Sequence, residues 1–263
     1  MAVVKNSDLL SIKKICESEN DSHFLITAYN ILLHIYITGV VHINNSEVLK
    51  MLELSAYAYK DNMPKCRHSY YEIIEGSKTD TECFIKKTEN NITIIFRGTD
   101  SSINWTNNFL FCRKNIPYGN KDTKIRVHSG FLKEYKSVRD KIHTRIPGET
   151  CKITVTGHSL GAALAVLCAV DLQYNFKNAD IEVYLFGCPR VGNKAFVRSY
   201  NKRVFKTLRV TNGNDIVTKL PPKIFGYRHA GINIHTGLLS VPGIISFNEH
   251  RPESYYKSLW QTL

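Results

Sequence analysis

Residues 151–171 read C-K-I-T-V-T-G-H-S-L-G-A-A-L-A-V-L-C-A-V-D, and the fold follows from how this stretch divides. Lys152 to Thr156 alternates β-branched residues and is short enough to be a buried strand. Gly157, Ser159 and Gly161 then spell G-x-S-x-G, and Ala162 to Leu172 is rich in Ala and Leu, which predicts a helix. A chain turning sharply from strand to helix on those glycines forces the middle residue into a strained conformation, and both neighbours must be small. The Ser159 hydroxyl is thereby lifted clear of a sheet, at the positive end of a helix, where it can act as a nucleophile. The plainer reading is a tight turn in which the serine caps the helix. What separates the two is whether a base and an acid follow elsewhere in the chain.

Working outward, Glu47 to Tyr59 predicts an amphipathic helix opened by Ser46 and closed near Asn62 and Pro64. Tyr70 to Gly76, Glu82 to Thr88 and Asn91 to Arg97 read as successive strands, the last apolar enough to be central. Phe131 to Ile146 predicts a helix ended by Pro147-Gly148. Ile181 to Phe186 is another apolar strand, followed by a helix from about Lys194 and a strand at Val204 to Val210. A Pro221-Pro222 loop, a strand from Gly226 to Thr236, a Pro242-Gly243 hairpin and a helix from about Pro252 complete the chain. Strands alternating with helices imply an α/β fold, a largely parallel sheet with antiparallel edges flanked by helices. With 263 residues and no linker or repeat, residues 1–263 are expected to form one domain. Residues 1–45 form an arm in which Phe24 to Ile43 lacks Asp, Glu, Lys and Arg. As a helix this run has a narrow polar stripe of Thr27, Asn30, His34 and Thr38. It suits packing on the domain or lying in a membrane interface better than spanning a bilayer alone.

The formal net charge is +12, from 35 Lys and Arg against 23 Asp and Glu. No basic base-reading helix, aromatic sheet motif or zinc spacing accompanies it, so nucleic acid is excluded as a partner and no metal is implied. A basic surface also favours anionic lipid headgroups, although a merely soluble basic enzyme carries the same charge. The seven cysteines are odd in number and lack paired spacing, and the first twenty residues carry no cleavable signal pattern. Reduced thiols and an intracellular setting, cytoplasmic or membrane-associated, are the expectation.

A serine hydroxyl is a weak nucleophile and requires a base, itself held by an acid. Where an elbow of this kind carries a triad, the acid and then the histidine follow the serine in sequence. Asp171 is too far along the helix, and Asp180 and Glu182 open a strand away from its active end. Asp215 follows the strand Val204 to Val210 at the edge where such sites gather, though an Asx turn or the cap of a short helix would also explain it. Of the later histidines, His229 and His235 fall on one predicted strand and face the same side, as structural residues do. His250 lies in a loop where its ring can reach back, with His229 the next candidate. His158 points away from the site in an elbow and is expected to hydrogen-bond locally. For the negative oxygen of a tetrahedral intermediate, the donors are the N–H of Leu160 and the N–H and hydroxyl of Thr99 in the loop 97–102, which could equally be a surface turn. Trp105, Phe109, Leu110 and Phe111 form an apolar segment beside the site, either core or a lid whose apolar face meets lipid.

Five motifs carry a resemblance: F-R-G-T-D-S-S-I-N-W at 96–105, V-H-S-G-F at 127–131, G-H-S-L-G-A-A-L-A at 157–165, F-G-C-P-R-V-G-N at 186–193 and R-V-T-N-G-N-D-I-V-T-K-L-P-P at 209–222. Their order and spacing resemble the class 3 lipase family, from about Leu49 to the C-terminus. The resemblance implies an α/β-hydrolase fold with a central, mostly parallel mixed sheet, and a Ser159–Asp215–His250 triad. It also implies an oxyanion hole at Thr99 and Leu160, a lid after Thr99, and a structural role for the 186–193 turn. The activity implied is hydrolysis of lipid esters at an interface through an acyl-enzyme, without metal or organic cofactor. Phospholipase or small-ester esterase activity is the enzymatic alternative, and a non-catalytic membrane-binding protein of the same fold the other. The signal and disulfides of the secreted fungal members are absent, and the stretch between acid and histidine is short.

Overall fold

The computed structural model describes residues 45–60, 71–89, 91–99, 113–115, 123–148, 152–238, 241 and 243–262. The expected apolar helix at Phe24 to Ile43 and the expected lid residues Trp105, Phe109, Leu110 and Phe111 lie outside the described residues. Among those described, the elements run α1 (Asn45–Tyr57), β1 (Tyr71–Glu75), β2 (Glu82–Lys87), β3 (Asn91–Phe96), β4 (Arg113–Asn115), β5 (Arg126–His128) and α2 (Ser129–His143). They continue as β6 (Lys152–His158), α3 (Leu160–Asn175), β7 (Asp180–Phe186), β8 (Gly192–Asn193), α4 (Lys194–Arg203) and β9 (Thr207–Asn212). Last come β10 (Tyr227–Arg228), β11 (Ile232–Thr236) and α5 (Pro252–Thr262), with short 3-10 turns at Val217–Lys219, Lys223–Phe225 and Asn248–His250.

Seven of these strands form the central sheet, in the order β1-β2-β3-β6-β7-β9-β11. The β1-β2-β3 edge is antiparallel, and β3, β6, β7, β9 and β11 run parallel. This is the mixed sheet the alternation of strands and helices implies, with its antiparallel pairs on one side only. In the parallel part, crossover helices cover both faces, so the strands are apolar nearly throughout. Ile92, Ile94 and Phe96 of β3, Ile153 and Val155 of β6, and Ile181, Val183 and Leu185 of β7 point into one core layer with α2, α3 and α4. Ile95, Phe186 and Val210 face the other way, against Val48, Met51 and Leu52 of α1 and Tyr255 and Leu259 of α5. Helix α3 is buried from Gly161 to Ala169, which explains its uniformly small and apolar sequence.

Several boundaries differ from the expectations, each for a tertiary reason. Helix α2 stops at His143, with Thr144 as its cap, before Pro147-Gly148 is reached. Strand β9 begins at Thr207, because Val204 is the C-terminal cap of α4. The single strand expected from Gly226 to Thr236 is two. Its first part, β10, pairs with β8 in a separate four-stranded sheet of order β10-β8-β5-β4, while β11 joins β9 in the central sheet. His229 sits in the break, so it and His235 do not share a strand face. The expected Pro242-Gly243 hairpin lies in part outside the described residues; beyond it, Ser246 bridges Asp215 in parallel fashion.

Candidate active site

The elbow predicted at Ser159 is present. Strand β6 ends at His158, α3 begins at Leu160, and Ser159 between them has φ 57° and ψ −125°. Among the described residues it is the non-glycine residue with positive φ, a conformation that costs on the order of 1–3 kcal/mol. The flanking glycines are steric requirements. A Cβ on Gly157 would lie 2.5 Å from the carbonyl carbon of Gly161, and one on Gly161 would lie 2.3 Å from the carbonyl oxygen of Phe96. Helix α3 is thereby pressed against the end of β3, and the strained turn is held by Ser159 N–H donating to the Phe186 carbonyl at 3.0 Å. The serine side chain makes no capping bond to the helix, so the plain capping role is not the one it plays.

His250, in the 3-10 turn before α5, places Nε2 2.8 Å from Ser159 Oγ and Nδ1 2.9 Å from Asp215 Oδ2. Since a carboxylate only accepts, Nδ1 carries the proton and Nε2 is left to accept from the serine hydroxyl. Ser159, Asp215 and His250 are 0, 0 and 4 % exposed, so the array is shielded from water. Gly187, at φ +60°, makes room for it: a Cβ there would sit 2.9 Å from His250 Cε1 and 3.2 Å from Asp215 Oδ2. The 186–193 turn, expected to be structural, therefore also borders the imidazole.

Asp215 makes the contacts of both readings weighed for it. Oδ1 accepts from the Val217 N–H at 2.8 Å, the Asx turn that starts the 3-10 turn at Val217–Lys219. Oδ2 accepts from His250 and from the Tyr255 hydroxyl, the latter at 2.5 Å. Burial, and then the charge of Asp215, raise the Tyr255 phenol well above its ordinary value, so it remains a donor. Reasoning from sequence missed Tyr255. Its place one turn into the last helix marks it as buried, but nothing in the sequence says that its hydroxyl ends on a carboxylate forty positions earlier.

His158 bonds as expected, away from the serine, but its partners are distant in sequence. Nε2–H donates to the His250 carbonyl at 2.7 Å, so Nδ1 is the acceptor for the Tyr59 hydroxyl at 2.8 Å. Burial, and then His250, push its pKa well below the ordinary histidine value, which keeps the ring neutral. A second brace comes from Glu249. Its carboxylate accepts from Asn214 N–H at 2.9 Å, and its carbonyl accepts from the Asn212 amide at 2.9 Å. These bonds couple the turn carrying His250 to the loop carrying Asp215.

Of the remaining candidates, Asp171, His229 and His235 fall elsewhere. Asp171 is bound by Tyr135, Arg139 and His143 of α2 at 2.6, 2.7 and 2.8 Å. Burial raises its pKa, but hydrogen bonds from His143, Arg139 and Tyr135 outweigh this and hold the carboxyl below the ordinary range. His229 donates Nε2–H to the Thr218 carbonyl, and His235 contacts Thr211 and the Leu238 carbonyl; neither bonds to Ser159 or Asp215. Leu160 opens α3 beside the serine, where the first-turn N–H groups have no acceptor within the helix. Thr99 follows β3 through Gly98, whose Cβ position is 2.9 Å from the His158 carbonyl oxygen, so the two loops lie side by side. Among the described residues no cluster of His, Cys, Asp or Glu could hold a metal ion.

The chain matches the family model described as Lipase (class 3) over residues 93–225, a span that includes all five motifs and Asp215 but ends before His250. It is similar to a lipase of Rhizomucor miehei, 35% identical over 162 residues, which are 58% of this chain and 44% of that protein. It is also similar to the chloroplastic phospholipase A(1) DAD1 of Arabidopsis thaliana, 35% identical over 161 residues, 54% of this chain and 36% of that one. The chain thus matches less than half the length of either relative. Among solved structures, the triacylglyceride lipase of Rhizomucor miehei superposes with a TM-score of 0.67 at 28% identity, covering 74% of this chain and 81% of the other.

Proposed function

We propose, from the premise that this chain belongs to the class 3 lipase family, that it is a serine ester hydrolase acting on lipid esters. The observation that carries the reading is the continuous Ser159–His250–Asp215 relay, with both bonds at 2.8–2.9 Å and the middle residue's tautomer fixed by the carboxylate. As His250 Nε2 takes its proton, Ser159 Oγ attacks the ester carbonyl. Asp215 stabilises the imidazolium, which then protonates the departing alcohol. Water, deprotonated by the same ring, hydrolyses the acyl-enzyme and restores the serine. The N–H of Leu160, at the positive end of α3, and the N–H and hydroxyl of Thr99 are the donors assigned to the tetrahedral oxyanion. Because Ser159 is fully buried, an opening motion precedes substrate entry.

No metal or organic cofactor enters this scheme. The substrate is a lipid ester presented at an interface, and the +12 charge supports an anionic membrane surface as the place where it is met. No helix among the described residues is long and apolar enough to cross a membrane. The free, buried thiols of Cys83, Cys168 and Cys188 suit the reducing, intracellular setting that belongs to the same reading. The test is labelling by a fluorophosphonate, which should occur in the wild type and vanish in Ser159→Ala, followed by hydrolysis of esters of graded acyl length with and without an interface. An unlabelled wild-type protein overturns the assignment, and a rate indifferent to aggregation of the ester replaces the lipase with a small-ester esterase.

A further inference from the structure

Two buried polar atoms on the loop that follows Asp215 have nothing to bond, and cations gather around both. Arg190, in the turn after β7, is 8 % exposed. Its Nη1 donates to the Lys219 carbonyl and to the Pro221 carbonyl, the latter at 2.8 Å, and its backbone N–H donates to the Leu220 carbonyl at 2.7 Å. These bonds leave its Nε–H buried and without an acceptor. His229 gives Nε2–H to the Thr218 carbonyl at 2.8 Å, next along the same loop. The ring therefore presents a lone pair at Nδ1, which is buried and without a donor. The loop is joined to the catalytic acid, since the Thr218 hydroxyl donates to the Asp215 carbonyl at 2.8 Å.

The charge around these two atoms is of one sign. Burial, and then the charges of Arg209 and Arg228, bring the Arg190 guanidinium down to about 10. Burial, then Arg209 and Arg190, and last Lys223, push His229 well below the ordinary histidine value. No carboxylate is among the groups acting on either residue. Arg228 and Lys223 are exposed and form the rim, with Arg228 Nη1 held by the Lys223 and Tyr227 carbonyls at 2.9 and 2.7 Å. A buried cation is ordinarily paired, because removing it from water is costly. A water between Arg190 and His229 would satisfy the two atoms and leave the charge unbalanced, whereas an oxyanion answers to both. The lone pair on His229 narrows the choice, for the occupant must donate as well as accept. We propose that Arg190 and His229, with Arg228 and Lys223 at the rim, form a binding site for a phosphate group, taken as the free ion or as a small monoester. One phosphate oxygen accepts from Arg190 Nε–H, the P–O–H donates to His229 Nδ1, and no proton changes place. Sulfate at neutral pH has no hydroxyl, so it can occupy the site only after His229 has taken up a proton. The inference stands apart from the ester-hydrolase reading and shares no residue with the triad.

The test is isothermal titration of the full chain with inorganic phosphate at pH 7.5 and constant ionic strength, with sulfate and glycerol 3-phosphate as parallel ligands. Phosphate is expected to bind, to exceed sulfate in affinity, and to raise the melting temperature by roughly 3–6 °C at about ten times Kd. Competition by glycerol 3-phosphate would identify a monoester as an occupant, and its failure to compete the free ion alone. Lys223→Gln together with Arg228→Gln, at exposed positions, should weaken phosphate binding by roughly threefold or more. Arg190→Lys keeps the charge but removes Nε–H, and should weaken it by roughly tenfold; should that variant not fold, the rim pair decides. Lys133→Gln with Lys136→Gln, an exposed pair on α2, should leave binding unchanged. Ser159→Ala should bind as the wild type does, which separates this site from the oxyanion donors of the catalytic centre. Absence of phosphate binding overturns the proposal, as do equal affinity for sulfate, indifference to the rim substitutions, or loss of binding in Ser159→Ala.

Discussion

Replacing Asp215 by Asn changes one atom of the relay, and the geometry dictates how the replacement sits. Three donors converge on the carboxylate: Val217 N–H on Oδ1, and His250 Nδ1–H and the Tyr255 hydroxyl on Oδ2. The backbone N–H cannot become an acceptor, whereas a histidine can change tautomer and a phenol can rotate. The amide oxygen must therefore take the Oδ1 position, and the NH2 group must face His250 and Tyr255. His250 is then obliged to accept at Nδ1 and to carry its proton on Nε2, 2.8 Å from Ser159 Oγ. Nε2–H can then only donate to the serine oxygen, and no base remains to take the serine proton. Loss of the correct tautomer in an intact triad costs roughly 10⁴ in kcat, which is about 5.5 kcal/mol of transition-state stabilisation. The assay is steady-state hydrolysis of a soluble p-nitrophenyl ester, paired with the rate of fluorophosphonate labelling and a thermal melt to show the fold is kept. A folded Asp215→Asn protein that loses less than about tenfold would refute the chain of reasoning from bond polarity to tautomer to base.

Three other outcomes follow from the same contacts. Tyr255→Phe removes one charge-assisted donor from a buried carboxylate, so stability by urea titration should fall by about 1.5–3 kcal/mol while labelling of Ser159 persists; an unchanged midpoint would show that the bond carries no weight. Gly161→Ala drives a Cβ against the Phe96 backbone, which cannot swing aside; a destabilisation of about 1–3 kcal/mol or more, with loss of labelling, is expected from melts. The pH dependence has a definite sign, because His158 and His229 are both held well below the ordinary histidine pKa, chiefly by burial. The unfolded chain then binds more protons than the folded one below about pH 6.5, so stability is full above that value and declines as pH falls. Each ring contributes up to about 1.4 kcal/mol per pH unit, and urea midpoints that stay flat between about pH 7 and pH 5 would contradict it.

How much of this was readable in the sequence depended on whether the signal was local. The elbow was, because the constraint that makes Gly157 and Gly161 obligatory acts within five residues and leaves its mark in the letters. Asp215 was reached by order along the chain and by its place after a strand, His250 by its loop before the last helix, and the structure sets the His250 ring 2.9 Å from Asp215 and 2.8 Å from Ser159. The strand from Gly226 to Thr236 was misjudged because one alternating run serves two sheets. Tyr227 pairs with Asn193, Ile232 pairs with Leu208, and the break at His229–Gly231 is made by those partners. The small second sheet was invisible for a related reason: strands of two or three residues are too short to show a period. Tyr59, Tyr255 and Glu249 act through contacts to residues 35 to 99 positions away, and residue type alone does not announce such pairings.

Those missed residues explain a difficulty that the triad alone leaves open. The base and the acid come from two loops, and the short stretch between them supplies little scaffold of its own, yet the relay requires both bonds near 2.8 Å at once. Its solution is to fix each loop by backbone groups as well as by the reacting side chains. The His250 carbonyl is held by His158, which is rigid because it ends β6 beside the nucleophile, and His158 is oriented by the Tyr59 hydroxyl, just beyond α1. The Glu249 carbonyl is held by Asn212 at the end of β9, and the Asp215 loop is gripped in turn by the Glu249 carboxylate and by Ser246. Each loop therefore braces the other, and the imidazole has little freedom other than the proton it carries. It follows that Tyr59→Phe, which touches none of the three reacting residues, should lower kcat with KM nearly constant, because it loosens the ring's anchor and leaves the acyl site alone. A change in KM alone, with kcat intact, would place Tyr59 in substrate binding and break the link drawn from β6 to the base.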